Sequence, residues 1–181
     1  MRKKHQYRAV FLDRDGVINE VFIRNGLSYA PHSVGDFRVI AGVSEALNSL
    51  SKASFKLVVV TNQPDVGKGL QTLESLDAMH GQLQRDLPID LIKVCLHDDQ
   101  AKCECRKPKP GMFLESAEEL GIDLSRSFMV GDRWRDIEAG KAAGCKTLWV
   151  RTDYAEKKPT DPDWTVQDLL EAAQIILAEE T

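Results

Sequence analysis

Ala9-Val10-Phe11-Leu12-Asp13-Arg14-Asp15-Gly16 is the stretch that decides the fold. Four apolar residues suited to a buried strand run straight into two carboxylates and a glycine, so the strand ends where polar groups can meet water or a ligand. The pattern recurs downstream. Residues 57–60 run into Thr61-Asn62-Gln63, and residues 128–130 into Gly131-Asp132-Arg133. Segments of helical period fall between, near 43–53, 73–87, 111–120, 136–143 and 166–178, with further strands at 91–94 and 147–150. Val43, Ala46, Leu47 and Leu50 recur at helical spacing, and Pro110 stands where a first-turn proline is tolerated. Strand and helix in alternation predict an α/β fold: a Rossmann-like, doubly wound parallel sheet with helices on both faces. In such sheets ligands lie beyond the carboxyl ends of the strands, which is where the polar residues gather.

The 181 residues suit one domain spanning 1–181, and 43% apolar with 29% charged residues supply enough burial for a core. A net charge of -4 argues against a general nucleic-acid partner. Apolar runs such as 57–60 are too short to span a bilayer, and Met1-Arg2-Lys3-Lys4-His5 leads into only a short apolar run, so no membrane partner and a cytoplasmic location are expected. No insertion is long enough for a separate cap domain, and a monomer with an open site is expected. Residues 158–163, rich in Pro and Asp, read as a loop, Cys145 as a buried hydrophobe, and His5, His32 and His80 as solvent-exposed.

The four polar loops suit phosphoryl transfer. A carboxylate such as Asp13 can attack phosphorus and form an aspartyl phosphate, while an acid two positions on, Asp15, protonates the leaving oxygen. Magnesium takes hard oxygens, for which Asp13, Asp132 and the Asp15 carbonyl serve. Lys107, from Arg106-Lys107-Pro108, supplies a point cation and Thr61 a hydroxyl donor for the equatorial oxygens.

Phe11-Leu12-Asp13-Arg14-Asp15-Gly16-Val17-Ile18-Asn19, Val60-Thr61-Asn62-Gln63, Arg106-Lys107-Pro108 and Val130-Gly131-Asp132 resemble, in order, the four motifs of the haloacid dehalogenase-like (HAD) phosphatases. The resemblance implies Asp13 as nucleophile, Asp15 as general acid and base, Thr61 and Lys107 on the phosphoryl group, and Asp132 on magnesium. Asn19, Asn62 and Gln63 fall in loops that face substrate in that family, and Arg133 joins them. Asp136 reads as a surface or capping residue.

Cys95-Leu96-His97 and Cys103-Glu104-Cys105 offer three thiolates and an imidazole on one loop, the ligand set of a closed, structural zinc site at 95–105. The loop leads directly into Arg106-Lys107, so the metal would place the catalytic cation. Joined to Arg-Lys-Pro-x-Pro-Gly-Met at Arg106 to Met112, it resembles the HAD phosphatases of heptose 1,7-bisphosphate in lipopolysaccharide synthesis, with histidinol-phosphate phosphatases as the alternative. By that analogy Arg106 recognises substrate, a small phosphorylated sugar or metabolite. Departures fall in residues 20–36 and in Pro64-Asp65-Val66-Gly67. A phosphoacceptor signalling domain would place its acidic pair, acceptor and lysine on different strands, and a nucleic-acid zinc ribbon would be basic where this loop carries Asp98, Asp99 and Glu104. A phosphomutase would need a cap to exclude water.

Overall fold

A computed structural model describes residues 6–179. Its centre is β1 (Arg8–Leu12), flanked in parallel by β4 (Phe55–Asn62) and β6 (Phe128–Gly131). Outside these lie β5 (Leu91–Cys95) next to β4, and β7 (Lys146–Val150) followed by β8 (Trp164–Val166) next to β6, so the six-stranded order is β5-β4-β1-β6-β7-β8. Every pairing in this sheet is parallel. The expected doubly wound α/β architecture is what forms.

Alternation along the central strands divides the core. Val10 and Leu12 of β1, with Leu57 and Val59 of β4, face α1 (Val43–Lys52), α3 (Leu73–Asp86) and α6 (Leu169–Ala178). Ala9 and Phe11, with Val58 and Val60, face α4 (Gly111–Leu120) and α5 (Trp134–Ala143), where the Phe11 and Phe113 rings lie 4.7 Å apart. Both faces of β1 are thus fully buried, which is why the strand reads as a continuous apolar run. Cys145 is buried against α5's side of the sheet, as expected.

Register positions the site. Leu12 pairs with Val59 on one side and Val130 on the other, so Asp13, Thr61 and Asp132 leave neighbouring strands at nearly one height. Three elements depart from the sequence reading. Within residues 20–36, β2 (Phe22–Arg24) and β3 (Leu27–Tyr29) form a hairpin across Asn25-Gly26, both at positive φ. Asn-Gly is a strong turn signal, but strands of three residues, exposed at every position except the half-buried Ser28, are too short to show alternation. A short helix α2 (Pro64–Gly67) follows Gln63. The last helix begins at Leu169, capped by Asp168 (2.8 Å to the Glu171 N–H), and Trp164–Val166 is an edge strand, because Val166 pairs with Val150 and not with a helical turn.

Of the histidines, His5 lies outside the described residues. His32 is exposed, as expected, and bonded to Asp65 at 2.9 Å, whereas His80 is buried, a correction to its expected exposure. It sits on the core face of α3 beside Leu76, Met79 and Leu83, where a buried guanidinium gives its ring a partner (3.1 Å).

Candidate active site

Asp13 leaves β1 with its N–H still bonded to Val130 O (3.0 Å), which fixes its carboxyl between β4 and β6. Gly16, at φ +87°, closes the turn that follows, and a Cβ there would collide with the Asp132 carboxylate. Lys107 reaches in from the loop before α4. Asn62 clasps its backbone twice, Nδ2 donating to Lys107 O and Oδ1 accepting from Lys107 N, each at 3.1 Å. The buried ammonium then spends its three protons on Asp13 Oδ1 (2.8 Å), Val60 O (2.7 Å) and Asp136 Oδ1 (2.6 Å). Burial alone would lower its pKa, but the Asp13 and Asp136 carboxylates overcome that and hold it charged.

Asp136 fulfils the capping half of its reading and corrects the surface half. It does cap α5, accepting from the Arg133 N–H (3.0 Å), yet it is 1% exposed and its second oxygen holds Lys107. Gly131 makes room, since a Cβ there would overlap the Asp136 side chain. Its place three residues into the helix, where an acidic side chain turns back toward the cap, was the available signal.

Asp13, Asp132 and Asp136 present oxygens that all lie within 4.8 Å of one another, and all three residues are buried. Both Asp132 carboxylate oxygens are shielded from solvent, and the Tyr154 hydroxyl beside them is the group nearest to partnering them, without reaching hydrogen-bond geometry. Lys107 alone does not neutralise three such carboxylates. Burial and then the Asp136 charge, against Lys107, push Asp13 up to about 6, and burial and the Asp13 charge also raise Asp132 well above the usual carboxylate range. A hard divalent cation is what this donor set fits.

Asp15 is aimed by three residues. Its Oδ1 accepts from Arg14 Nε (3.2 Å), Arg14 Nη2 (2.9 Å) and Asn19 Nδ2 (2.9 Å), and its Oδ2 from Gln63 Nε2 (2.6 Å). Burial would raise its pKa, but the Arg14 guanidinium leads the groups that hold it below the usual value. Asn19, expected at the substrate, is fully buried and bonded to Asp15 and Glu20 O, so it acts behind the acid and does not line the cavity. Gln63 also donates to Thr61 Oγ1 (2.9 Å), joining the second motif to the first.

A cavity of about 270 Å³ opens over these groups, lined by Asp13, Asp15, Asn62, Gln63 and Lys107 and by the cations Lys68, Arg106, Arg133 and Arg135. Arg106 is braced by Asp99 (3.0 Å) and His97 O (3.0 Å), and Asp99 also pairs with Arg135 (2.9 Å). Arg133 is tied to Ser28 of the hairpin and lies 3.6 Å from Glu156, so it borders the cavity while anchoring β3. The loop from Gln63 to Lys68 was expected to shape substrate choice, but the sequence singled out neither Lys68 nor Arg135 as a lining cation.

Beside the cavity, Cys95, His97, Cys103 and Cys105 converge, with contacts of 3.1 to 3.8 Å among their ligand atoms. Tetrahedral zinc with bonds of about 2.3 Å to sulfur sets its ligands roughly 3.8 Å apart, so the four fit one ion.

Comparison with known proteins agrees with this geometry. Residues 104–172 match a family model described as HAD-hydrolase-like. The chain is 38% identical over 188 residues to the D-glycero-beta-D-manno-heptose-1,7-bisphosphate 7-phosphatase of Escherichia coli O6:H1, covering 93% of each chain. It is 42% identical to the enzyme of that name from Photorhabdus laumondii over 158 residues, 80% of each chain. The crystal structure of D,D-heptose 1,7-bisphosphate phosphatase from B. bronchiseptica, complexed with magnesium and phosphate, superposes with a TM-score of 0.82 at 30% identity, over 95% of this chain and 99% of that one.

Proposed function

Because this chain belongs to the HAD-like phosphatases, in the group of the D-glycero-β-D-manno-heptose-1,7-bisphosphate 7-phosphatases, we propose that it hydrolyses the 7-phosphate of that sugar through an aspartyl phosphate on Asp13. The observation that carries the reading is the buried Asp13 at the end of β1, in contact with Lys107 and within 4.8 Å of the buried Asp132 carboxylate.

An Asp13 oxygen attacks phosphorus as the bond to the sugar oxygen breaks, and Asp15, which must enter this step protonated against the pull of the Arg14 charge, gives that oxygen its proton. Water then attacks the aspartyl phosphate, with Asp15 taking the proton back, and phosphate leaves. Lys107, anchored by Asn62, sets its charge against the transferring oxygens, and the Thr61 hydroxyl adds a donor. Asp13, Asp132, Asp136 and the Asp15 carbonyl would hold the magnesium, which supplies a Lewis acid for the phosphoryl charge. Arg106, with the cations beside it, faces the second phosphate of a bisphosphate substrate. The enzyme works as a single-domain monomer in the cytoplasm, and among the described residues no helix is long and apolar enough to cross a membrane.

Specificity constants for the β and α anomers of the heptose bisphosphate and for histidinol phosphate test the substrate. The β anomer is expected to lead by at least about tenfold, or roughly 1.4 kcal/mol. A lead for histidinol phosphate would overturn the sugar assignment.

The raised pKa of Asp13 also fixes a pH dependence. In the metal-free protein Asp13 is protonated below about pH 6, and a cation needs the carboxylate, so binding must expel that proton. Magnesium affinity is therefore expected to fall as pH drops through 6, by at least about tenfold between pH 7 and pH 5, since Asp132, also raised, adds a proton of its own. Calorimetry in two buffers of different ionisation enthalpy reads both affinity and proton release. An affinity that is flat over this range contradicts the assignment.

A further inference from the structure

Arg14 lies between the nucleophile and the acid in sequence, yet it is fully buried and does not line the cavity. Burying a guanidinium costs several kcal/mol unless its donors are met, so its retention calls for a role in the site. Its Nε and Nη2 both donate to Asp15 Oδ1, its Nη1 lies 3.1 Å from His80 Nε2 on α3, and the ring of Phe37 lies 5.7 Å from its central carbon. A guanidinium carries only donors, so His80 Nε2 must be the acceptor, which places the ring proton on Nδ1 and leaves the imidazole neutral. Burial, and then the Arg14 charge, push the His80 pKa down to about 4, in keeping with that tautomer.

We infer that His80 is a positioning residue for Asp15, acting through Arg14: by holding Nη1 it fixes the plane of the guanidinium and so the edge that aims the acid. The guanidinium is planar and rigid, so a bond at one nitrogen orients the others. Asn19 and Gln63 hold Asp15 from other directions, but each contributes one N–H, whereas Arg14 contributes two donors and the only full charge. Without His80, a buried Nη1–H is left unpaired, and the guanidinium rotates to find another acceptor at the expense of its grip on Asp15.

This rests on Asp15 being the general acid, and leaving-group dependence separates that role from mere support of the fold. A sugar alkoxide is strongly basic and needs the proton, while p-nitrophenolate leaves without it. His80→Leu, which removes the acceptor, is expected to lower the first-turnover rate of leaving-group release from the sugar phosphate by about tenfold and that from p-nitrophenyl phosphate by less than about twofold, while hydrolysis of the aspartyl phosphate, which also uses Asp15, slows alike for both. His80→Gln, whose amide oxygen can accept from Nη1, should restore most of the loss. His80→Met packs with less strain and carries the same expectation as Leu should that variant fail to fold. Equal losses of that first-turnover rate on both substrates, or no loss from removing the acceptor, would overturn the inference. Asp15→Asn is the reference: if it shows no leaving-group split, the acid assignment itself fails. If it shows the split and the His80 variants do not, only the role of His80 fails.

Discussion

Asp13→Asn is expected to lower turnover roughly ten-thousand-fold while leaving the fold intact. An amide oxygen keeps the shape of the side chain and still accepts from Lys107 Nζ, now 2.8 Å from Oδ1, so the sheet and the lysine have no reason to move. What goes is the nucleophile, since a neutral amide cannot form the acyl phosphate. The stability effect has a definite sign. Asp13 is raised to about 6 in the folded protein by burial and by Asp136, so its ionised form opposes folding of the metal-free chain above that pH. Asparagine carries no charge to bury, and at pH 7 without magnesium the variant should melt at or above the temperature of the parent. Calorimetry and steady-state kinetics on one preparation check both halves. Appreciable residual turnover, or isotope from a trapped intermediate on a residue other than 13, would displace Asp13 from its role.

The sheet and the ends of its strands were legible because burial on both faces writes itself as unbroken apolar runs, and each run ends in the residues that carry the chemistry. Asp13, Thr61 and Asp132 lie together because register, set by Leu12 against Val59 and Val130, brings the ends of β1, β4 and β6 level, while Asp15 follows in the first loop and Lys107 is brought in by Asn62's hold on its backbone. What a sequence does not state is which way a polar side chain turns. Asn19 and Asp15 both follow the first strand, yet one is buried behind the other. His80 falls in a helix of mixed polarity, and only the arrival of Arg14 from β1's loop makes its burial favourable. Asp136 needed the cap geometry of α5 to be seen facing inward. The hairpin at 22–29 was hidden for the opposite reason: its strands are short and largely exposed, so no alternation marks them.

Removing the zinc should affect substrate binding more than chemistry. Cys95 ends β5 and is fully buried, while Cys103 and Cys105 lie on the loop that runs into Arg106. That arginine is held by His97 O and Asp99, both within the span tied by the four ligands, so release of the ion frees it to swing from the cavity. Lys107 is anchored separately, by Asn62 and by Asp13 and Asp136, and should stay in place. A strong chelator, or Cys105→Ser, is therefore expected to release about one zinc per chain and to raise KM by about tenfold, with a much smaller change in kcat. Even about 3 kcal/mol of linked stability would lower the melting temperature by roughly 6–12 °C in a chain of this size. Metal analysis, melting and kinetics together decide it. A purified protein without zinc removes the premise, whereas kcat falling as far as KM rises would mean that the metal loop positions Lys107 directly and that Asn62 does not suffice.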